Sequence, residues 1–266
     1  MSDMPKETVA ATETVVVSDE GRVRVIRMNR PAKKNALTQA MYAAMVDALA
    51  HAEADPQVRV ILLTGTDYIF SAGNDISDFA TNFSLDESSP VSRFLYALVA
   101  AEKPLVAAVN GPAVGIGTTM LLHCDLVYCG RTARFQLPFV NLGLVPEAGS
   151  SLILPALMGR RRAAELLLLG DPFDADTARE YAIVNAVLAD GEVYAHALAV
   201  AQALAAKPPA ALRLSRQLMK RWNDEALRAA MREEAAQFAQ MLHAPEATEA
   251  MTAFMERRKP DFSHFT

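Results

Sequence analysis

Cysteine is almost missing from this chain, with Cys124 and Cys129 the only two in 266 residues. Their spacing fits no zinc motif and one pair is too sparse for a disulfide framework, so a reducing compartment is expected. Basic charge is also in short supply, with 26 Lys plus Arg against 31 Asp plus Glu and a formal net charge of −5. Nucleic acid and anionic membrane surfaces both require a basic footprint, and neither is expected as the main partner. The first residues carry Asp3 and Glu7 and no apolar stretch of the kind a secretory leader needs. A cytoplasmic location is the resulting expectation. One run, Pro104 to Cys124, has the length of a membrane span and no formal charge. Asn110-Gly111-Pro112 in its middle is turn chemistry, so a buried strand, a turn and a buried helix fit better. His51, His123, His196, His243 and His264 are scattered, none beside an acid at metal-ligand spacing. They read as ordinary residues, and no metal site is expected.

What the chain does have is apolar content: 52% of its residues are hydrophobic and 21% charged, enough to bury a core. Two β-rich runs, Thr14 to Ser18 and Arg22 to Met28, flank Asp19-Glu20-Gly21 and predict a hairpin. Thr38 is a candidate N-cap for a helix in which Met41, Ala44, Met45, Ala48 and Leu49 recur at helical spacing to about Ala54. The continuous apolar run Val58 to Leu63 predicts a buried parallel strand. The alternation continues with a helix over Ser92–Ala101, a strand over Leu105–Val109, a helix over Ile116–His123 and a strand over Leu126–Cys129. Arg134–Leu137 and Ala182–Leu188 add short strands, and the whole predicts an α/β core with a mostly parallel sheet. From about Asp190 the pattern turns helical, over Tyr194–Ala206, Ala210–Trp222, Asp224–His243 and Thr248–Arg258. The chain therefore divides into a core over 1–195 and a helical region over 196–266. The apolar residues of that region, Leu218, Met219 and Trp222 among them, exceed what a thin appendage buries on itself and predict subunit contacts.

Three segments carry candidate chemistry. Phe70-Ser71-Ala72-Gly73-Asn74-Asp75 and Asn110-Gly111-Pro112-Ala113-Val114-Gly115-Ile116-Gly117 each follow a predicted strand and place glycine where a backbone approaches something closely. Two strand-to-helix junctions with free N–H groups, if they converge, make an oxyanion hole. On spacing alone a pair of tight turns without a ligand is the simpler reading. The third segment, Pro138 to Ser150, contains Glu147, one of only two acids between Gly115 and Ser151. The other, Asp125, sits at a helix-to-strand connection and is assigned a structural role. Glu147 is either a functional carboxylate or a plain neighbour of a helix start at Ser150 and Ser151. Arg213, Arg216 and Lys220 stack on one helix face, which reads as solvated rather than phosphate-binding.

Taken in order, NRPAKKNALT from Asn29, VRVILLTGTDYIFSAGND from Val58, KPLVAAVNGPAVGIGTTMLLHCDLVY from Lys103, FQLPFVNLGLVPEAGSSLILPALMG from Phe135 and AFMERRKPDF near the end resemble the crotonase superfamily. This is the enoyl-CoA hydratase/isomerase family, and the likeness covers nearly the whole chain. The resemblance implies a spiral of ββα turns, a C-terminal helical region that assembles a homotrimer or dimer of trimers, and a site for an acyl-CoA thioester. Coenzyme A is then part of the substrate, and no separate cofactor is implied. The thioester oxygen falls to the backbone N–H groups of Asn74 and Ile116, with Ala72, Gly73, Asp75, Gly115 and Phe139 along the substrate. Lys33 is the corresponding candidate for the nucleotide end. Phe254 and Arg257 resemble residues that reach the acyl chain and coenzyme A phosphates of a neighbouring subunit.

Departures from the family pattern separate its activities. The two glutamates of hydratases fall here on Thr119 and Phe139, neither of which carries a useful proton. Glu147, in LVPEAG, is placed as in peroxisomal-type Δ3,Δ2-enoyl-CoA isomerases. An isomerase shuttling a proton through Glu147 is therefore expected, with Phe139 and Val140 flanking the carboxylate and raising its pKa. Hydration, and acyl-CoA binding without catalysis, are the alternatives. The acyl group is not legible, and polar residues 80–90 are expected to border its pocket.

Overall fold

A computed structural model describes residues 13–78 and 88–265. The stretch expected to border the acyl pocket, 80–90, lies outside the described residues as far as 87. The hairpin forms as β1 (Val15–Glu20) and β2 (Val23–Met28), antiparallel with Glu20 opposite Val23. Gly21 turns it with φ of 67°. Helix α1 (Gln39–Ala54) starts at Thr38, whose hydroxyl accepts from the Met41 N–H at 3.3 Å. Strands β3 (Val60–Thr64) and β4 (Leu105–Val109), with helix α2 (Pro90–Ala100) between them in sequence, then join β2 in parallel.

Beyond β4 each turn of the chain lays one strand in each of two sheets. β5 (Pro112–Val114) follows β4, and β7 (Arg134–Gln136) follows β6 (Leu126–Gly130). β8 (Phe173–Asp174) precedes β9 (Ala186–Leu188). Among the described residues the larger sheet runs β1-β2-β3-β4-β6-β9 and the smaller β5-β7-β8. The helices between are α3 (Ile116–Thr119), α4 (Ser150–Met158), α5 (Arg160–Ala164) and α6 (Ala175–Glu180). This is the expected α/β spiral of ββα turns.

The apolar runs are continuous because the central strands are buried on both faces. Ile61 and Leu63 of β3 enter the main core with α1 and α2, while Val60 and Leu62 enter a second core on the opposite face. That second face is covered by α7 (Val193–Ala205), which presents Val193, Ala197, Ala201 and Ala205. Small side chains at every fourth position let the helix lie close on the sheet. The helical region continues as α8 (Pro209–Arg221), α9 (Asp224–Leu242) and α10 (Pro245–Glu256). No helix among the described residues is long and apolar enough to cross a membrane.

Several expectations need correction. Ile116–His123 is not one helix: four α-helical residues give way to a 3-10 turn over Met120–His123. The strand expected over Ala182–Leu188 is confined to Ala186–Leu188, because Ala182 takes a positive φ of 60°. The solvated cationic face also fails at its centre. Arg216 is buried, its Nε donating to Asp125 Oδ2 at 2.6 Å and its Nη1 to the Ala101 carbonyl. Asp125 Oδ2 also accepts from the Leu105 N–H at 2.8 Å, so the pair ties α8 to the start of β4 and gives Asp125 its structural role. Removing one member of such a pair strands the other charge. Arg216→Ala should therefore lower the unfolding free energy by about 3 kcal/mol, read as a fall in the denaturant midpoint at unchanged slope.

Candidate active site

The two glycine junctions run side by side. Ser71 bridges Ala113 in parallel, with Ser71 N–H donating to Pro112 O at 3.0 Å and Val114 N–H to Ser71 O at 2.9 Å. A Cβ on Gly73 would lie 2.9 Å from the Val114 carbonyl oxygen, and one on Gly117 would lie 2.8 Å from the Ser71 carbonyl oxygen. Glycine is required at both places by the approach of one backbone to the other.

A second bridge, Leu37 to Asn74, orients the first junction. The Leu37 N–H donates to Gly73 O and the Asp75 N–H to Leu37 O, both at 2.8 Å. Backbone groups alternate along an extended segment, so the Asn74 N–H is turned to the other side. It has no hydrogen-bond partner among the described residues. The Ile116 N–H has none either, because it opens α3 behind Gly115, whose carbonyl takes the Thr118 and Thr119 N–H groups at 2.8 and 2.9 Å. Free N–H groups of this kind on adjoining segments suit a developing oxyanion.

The loop Arg30–Ala36 secures the first junction. Asn35 is fully buried, and its amide donates to Ile69 O at 2.8 Å and Phe70 O at 3.1 Å. The Ala72 N–H donates to Lys34 O at 3.0 Å, which sets the exposed Lys33 beside the junction. Asp75 accepts from Arg30 Nη1 at 2.6 Å and from the Ser77 hydroxyl at 2.5 Å. Burial works against its charge, but Ser77 and Arg30 hold the carboxyl down at about 2. Its side chain is thus committed to holding the loop. On α1, Tyr42 donates to Asn74 Oδ1 at 2.5 Å.

Glu147 is only 5% exposed. Its Oε1 accepts from the Thr119 hydroxyl at 3.2 Å, one turn of chain beyond Ile116, and its Oε2 is buried with no hydrogen-bond partner. Burial pushes its carboxyl up to about 7, the Thr119 hydroxyl works against this, and the charge of Glu234 adds to the rise. The Tyr42 hydroxyl is pushed well above its ordinary range by burial and then by the charge of Glu147. The acid is therefore tied to the second junction by Thr119, and its charge is felt by Tyr42, which bonds Asn74 of the first. Phe139 is buried in the main core, whereas Val140 is 43% exposed.

The bend after Glu147 is strained, with φ of 60° at Ala148 and 74° at Gly149. His123 Nε2 donates to Ala148 O at 2.8 Å, and Glu234 accepts from Gly149 and Ser151. Burial lowers the His123 pKa to about 4, so the ring is neutral. Sequence reasoning missed Tyr42, His123 and Glu234. Only Glu234 left a signal, an acid on the stripe shared with Met231 and Phe238. Phe254 and Arg257 stay exposed at the end of α10. Among the described residues no group of three or more His, Cys, Asp or Glu is placed to hold a metal ion. Burial pushes both cysteine thiols up to about 12, leaving no thiolate nucleophile at neutral pH.

The family model described as Enoyl-CoA hydratase/isomerase matches residues 18–264. The chain is 33% identical over 251 residues to the 2,3-dehydroadipyl-CoA hydratase of Escherichia coli (strain K12), covering 93% of this chain and 98% of that protein. It is 34% identical over 250 residues to enoyl-CoA delta isomerase 2 of Rattus norvegicus, covering 92% of this chain and 64% of that longer protein. Among solved structures, Pseudomonas aeruginosa OdaA matches with a TM-score of 0.91 and 50% identity, covering 92% of this chain and 100% of that one.

Proposed function

The chain belongs to the enoyl-CoA hydratase/isomerase family and has its crotonase fold, and we propose that it is a Δ3,Δ2-enoyl-CoA isomerase. The observation that carries this reading is the buried carboxylate of Glu147, with a pKa near neutrality and a hydrogen bond from Thr119, three residues beyond the unpaired Ile116 N–H. Glu147 takes a proton from C2, and the charge left behind spreads onto the thioester oxygen, where the Asn74 and Ile116 N–H groups stabilise it. The resulting carboxylic acid returns the proton to C4. The double bond moves from C3–C4 to C2–C3, one proton is taken and one is given, and no water is consumed. A pKa of about 7 suits both halves, since the same group acts as base and as acid.

Further parts of the reading concern binding and assembly. Ala72, Gly73 and Gly115 frame the thioester, Phe139 borders it, and Lys33 meets the nucleotide end. Asp75 acts through its tie to Arg30. The exposed Leu214, Leu218 and Met219 of α8, with Trp222 just beyond it at 81%, support burial between copies in a homotrimer or dimer of trimers. Phe254 and Arg257 would there face a neighbouring site.

Hydration is the second reading, favoured by the name of the Escherichia coli relative. Against it stand Thr119 and Phe139, which offer no second proton carrier beside Glu147. Incubation with 3-enoyl-CoA and 2-enoyl-CoA esters, following bond migration and water addition separately, tests the choice. Bond migration should dominate, with kcat/KM rising with pH to a plateau above about 7 as Glu147 loses its proton. Water addition without migration would refute the isomerase reading.

A further inference from the structure

We propose that Glu234, on α9 of the C-terminal helical region, is a positioning residue for Glu147: its carboxylate clamps the Ala148–Gly149 bend and thereby fixes the acid relative to the Asn74 and Ile116 N–H groups. The inference rests on Glu147 being the proton carrier. Glu234 Oε2 accepts from the Gly149 N–H at 2.6 Å and Oε1 from the Ser151 N–H at 2.9 Å, across 85 and 83 residues of chain. Both oxygens are acceptors, which fits the ionised form. The group is buried between Met231 and Phe238 on the inner stripe of α9, where a charge is costly unless bonded.

Local capping of α4 is closed off by the bend. The N-cap position is held by Gly149 with φ of 74°, a conformation that Ser, Thr or Asp at an N-cap does not adopt. The next hydroxyl, Ser150 Oγ, is buried with no partner and does not cap. The donors at the start of α4 therefore require an acceptor from elsewhere in the fold, and α9 supplies it. With His123 holding the Ala148 carbonyl, the bend is fixed at Ala148, Gly149 and Ser151, just after Glu147. Displacement of a reacting group by about 1 Å is enough to cost 10²-fold in rate.

The same placement gives Glu234 a measurable signature. Around Glu147, Tyr42 from α1 and His123 from the turn after α3 are neutral near pH 7, and Thr119 does not titrate. Burial raises the Glu234 pKa while its bonds to Ser151 and Gly149 hold it down; in its ionised form Glu234 supplies the negative charge that raises the Glu147 pKa. A clamp that merely stabilised the fold would not be visible in the titration of Glu147.

The test compares wild type with Glu234→Gln and Glu234→Asp, using 3-enoyl-CoA kinetics, circular dichroism and 13C NMR titration of the Glu147 carboxyl. Glu234→Gln loses one acceptor and the charge, so kcat should fall about 10-fold with KM held within about 2-fold. The Glu147 midpoint should move below its wild-type value. Glu234→Asp keeps the charge and should restore the midpoint and part of kcat. A folded Glu234→Gln protein with wild-type kcat and an unmoved midpoint overturns the proposal, as does a lowered melting temperature with an unmoved midpoint. Should Glu234→Gln fail to fold, Glu234→Asp decides: faster amide exchange at Gly149 and Ser151 must come with a lower kcat, and faster exchange at full kcat overturns the clamp. The carboxyl titration reads Glu147 directly. A shift there in a protein with no isomerase activity counts against the isomerase reading alone.

Discussion

Glu147→Gln should lower kcat for 3-enoyl-CoA isomerisation by at least about 10²-fold, the low end of what general acid–base groups contribute. The amide keeps the volume of the side chain and still accepts from the Thr119 hydroxyl at the Oε1 position. What it loses is the capacity to take and return a proton. KM should change little, because the Asn74 and Ile116 N–H groups belong to the backbone. Stability should move the other way. The carboxyl has a folded pKa of about 7 against an unfolded value near 4.5, so between those values the folded state holds more protons. Wild-type stability therefore falls as pH rises through that window, and Glu147→Gln, which has no proton to lose, escapes the fall. Its melting temperature at pH 8 should equal or exceed that of wild type. A folded variant isomerising near the wild-type rate would return non-catalytic binding, or an unassigned acid, to the front.

Gly73→Ala and Gly117→Ala should each reduce kcat by about 10²-fold or more, the scale for losing one oxyanion donor. At Gly73 the new methyl meets both the Val114 carbonyl at 2.9 Å and a φ of 89°. Gly117 has no positive φ, and its methyl meets the Ser71 carbonyl oxygen at 2.8 Å and the Ser71 Cβ at 3.1 Å. In each case the nearest obstacle is a backbone carbonyl, so one junction must move away from the other and the N–H groups lose their common target. Agreement between the two variants would assign the effect to that gap rather than to conformational strain at Gly73. Kinetics on proteins shown to be folded by circular dichroism would decide it, and two folded variants at full kcat would remove the oxyanion assignment.

The elements that could be read along the chain were those with local causes. Helix α1 has its Thr38 cap, and β3 and β4 are apolar runs bounded by turn residues. β5 and β8, three and two residues long, were not legible because their existence depends on partners distant in sequence. The helix expected over Ile116–His123 tightens to 3-10 geometry after Thr119, in a segment buried except at the half-buried Leu122. At the site, Glu147, Asn74 and Ile116 stood out through glycine-rich segments and the family pattern. Tyr42 did not, since a tyrosine on an apolar helix face looks like packing. Arg216 looked solvated because nothing local announces that Asp125 lies 91 residues away, waiting to pair with it.

The tie between α4 and α9 also orders events during synthesis. Glu147 and both junctions leave the ribosome well before Glu234, which follows Gly149 by 85 residues. At about 5–20 residues per second that interval is roughly 4 to 17 s. Through it the nascent chain can lay down its sheet and both cores' inner strands while the bend after Glu147 lacks two of its three fixed points. On the proposed clamp, full turnover would thus wait until the last helices have docked, and a chain cut short after α8 would have its acid in place and its aim unset.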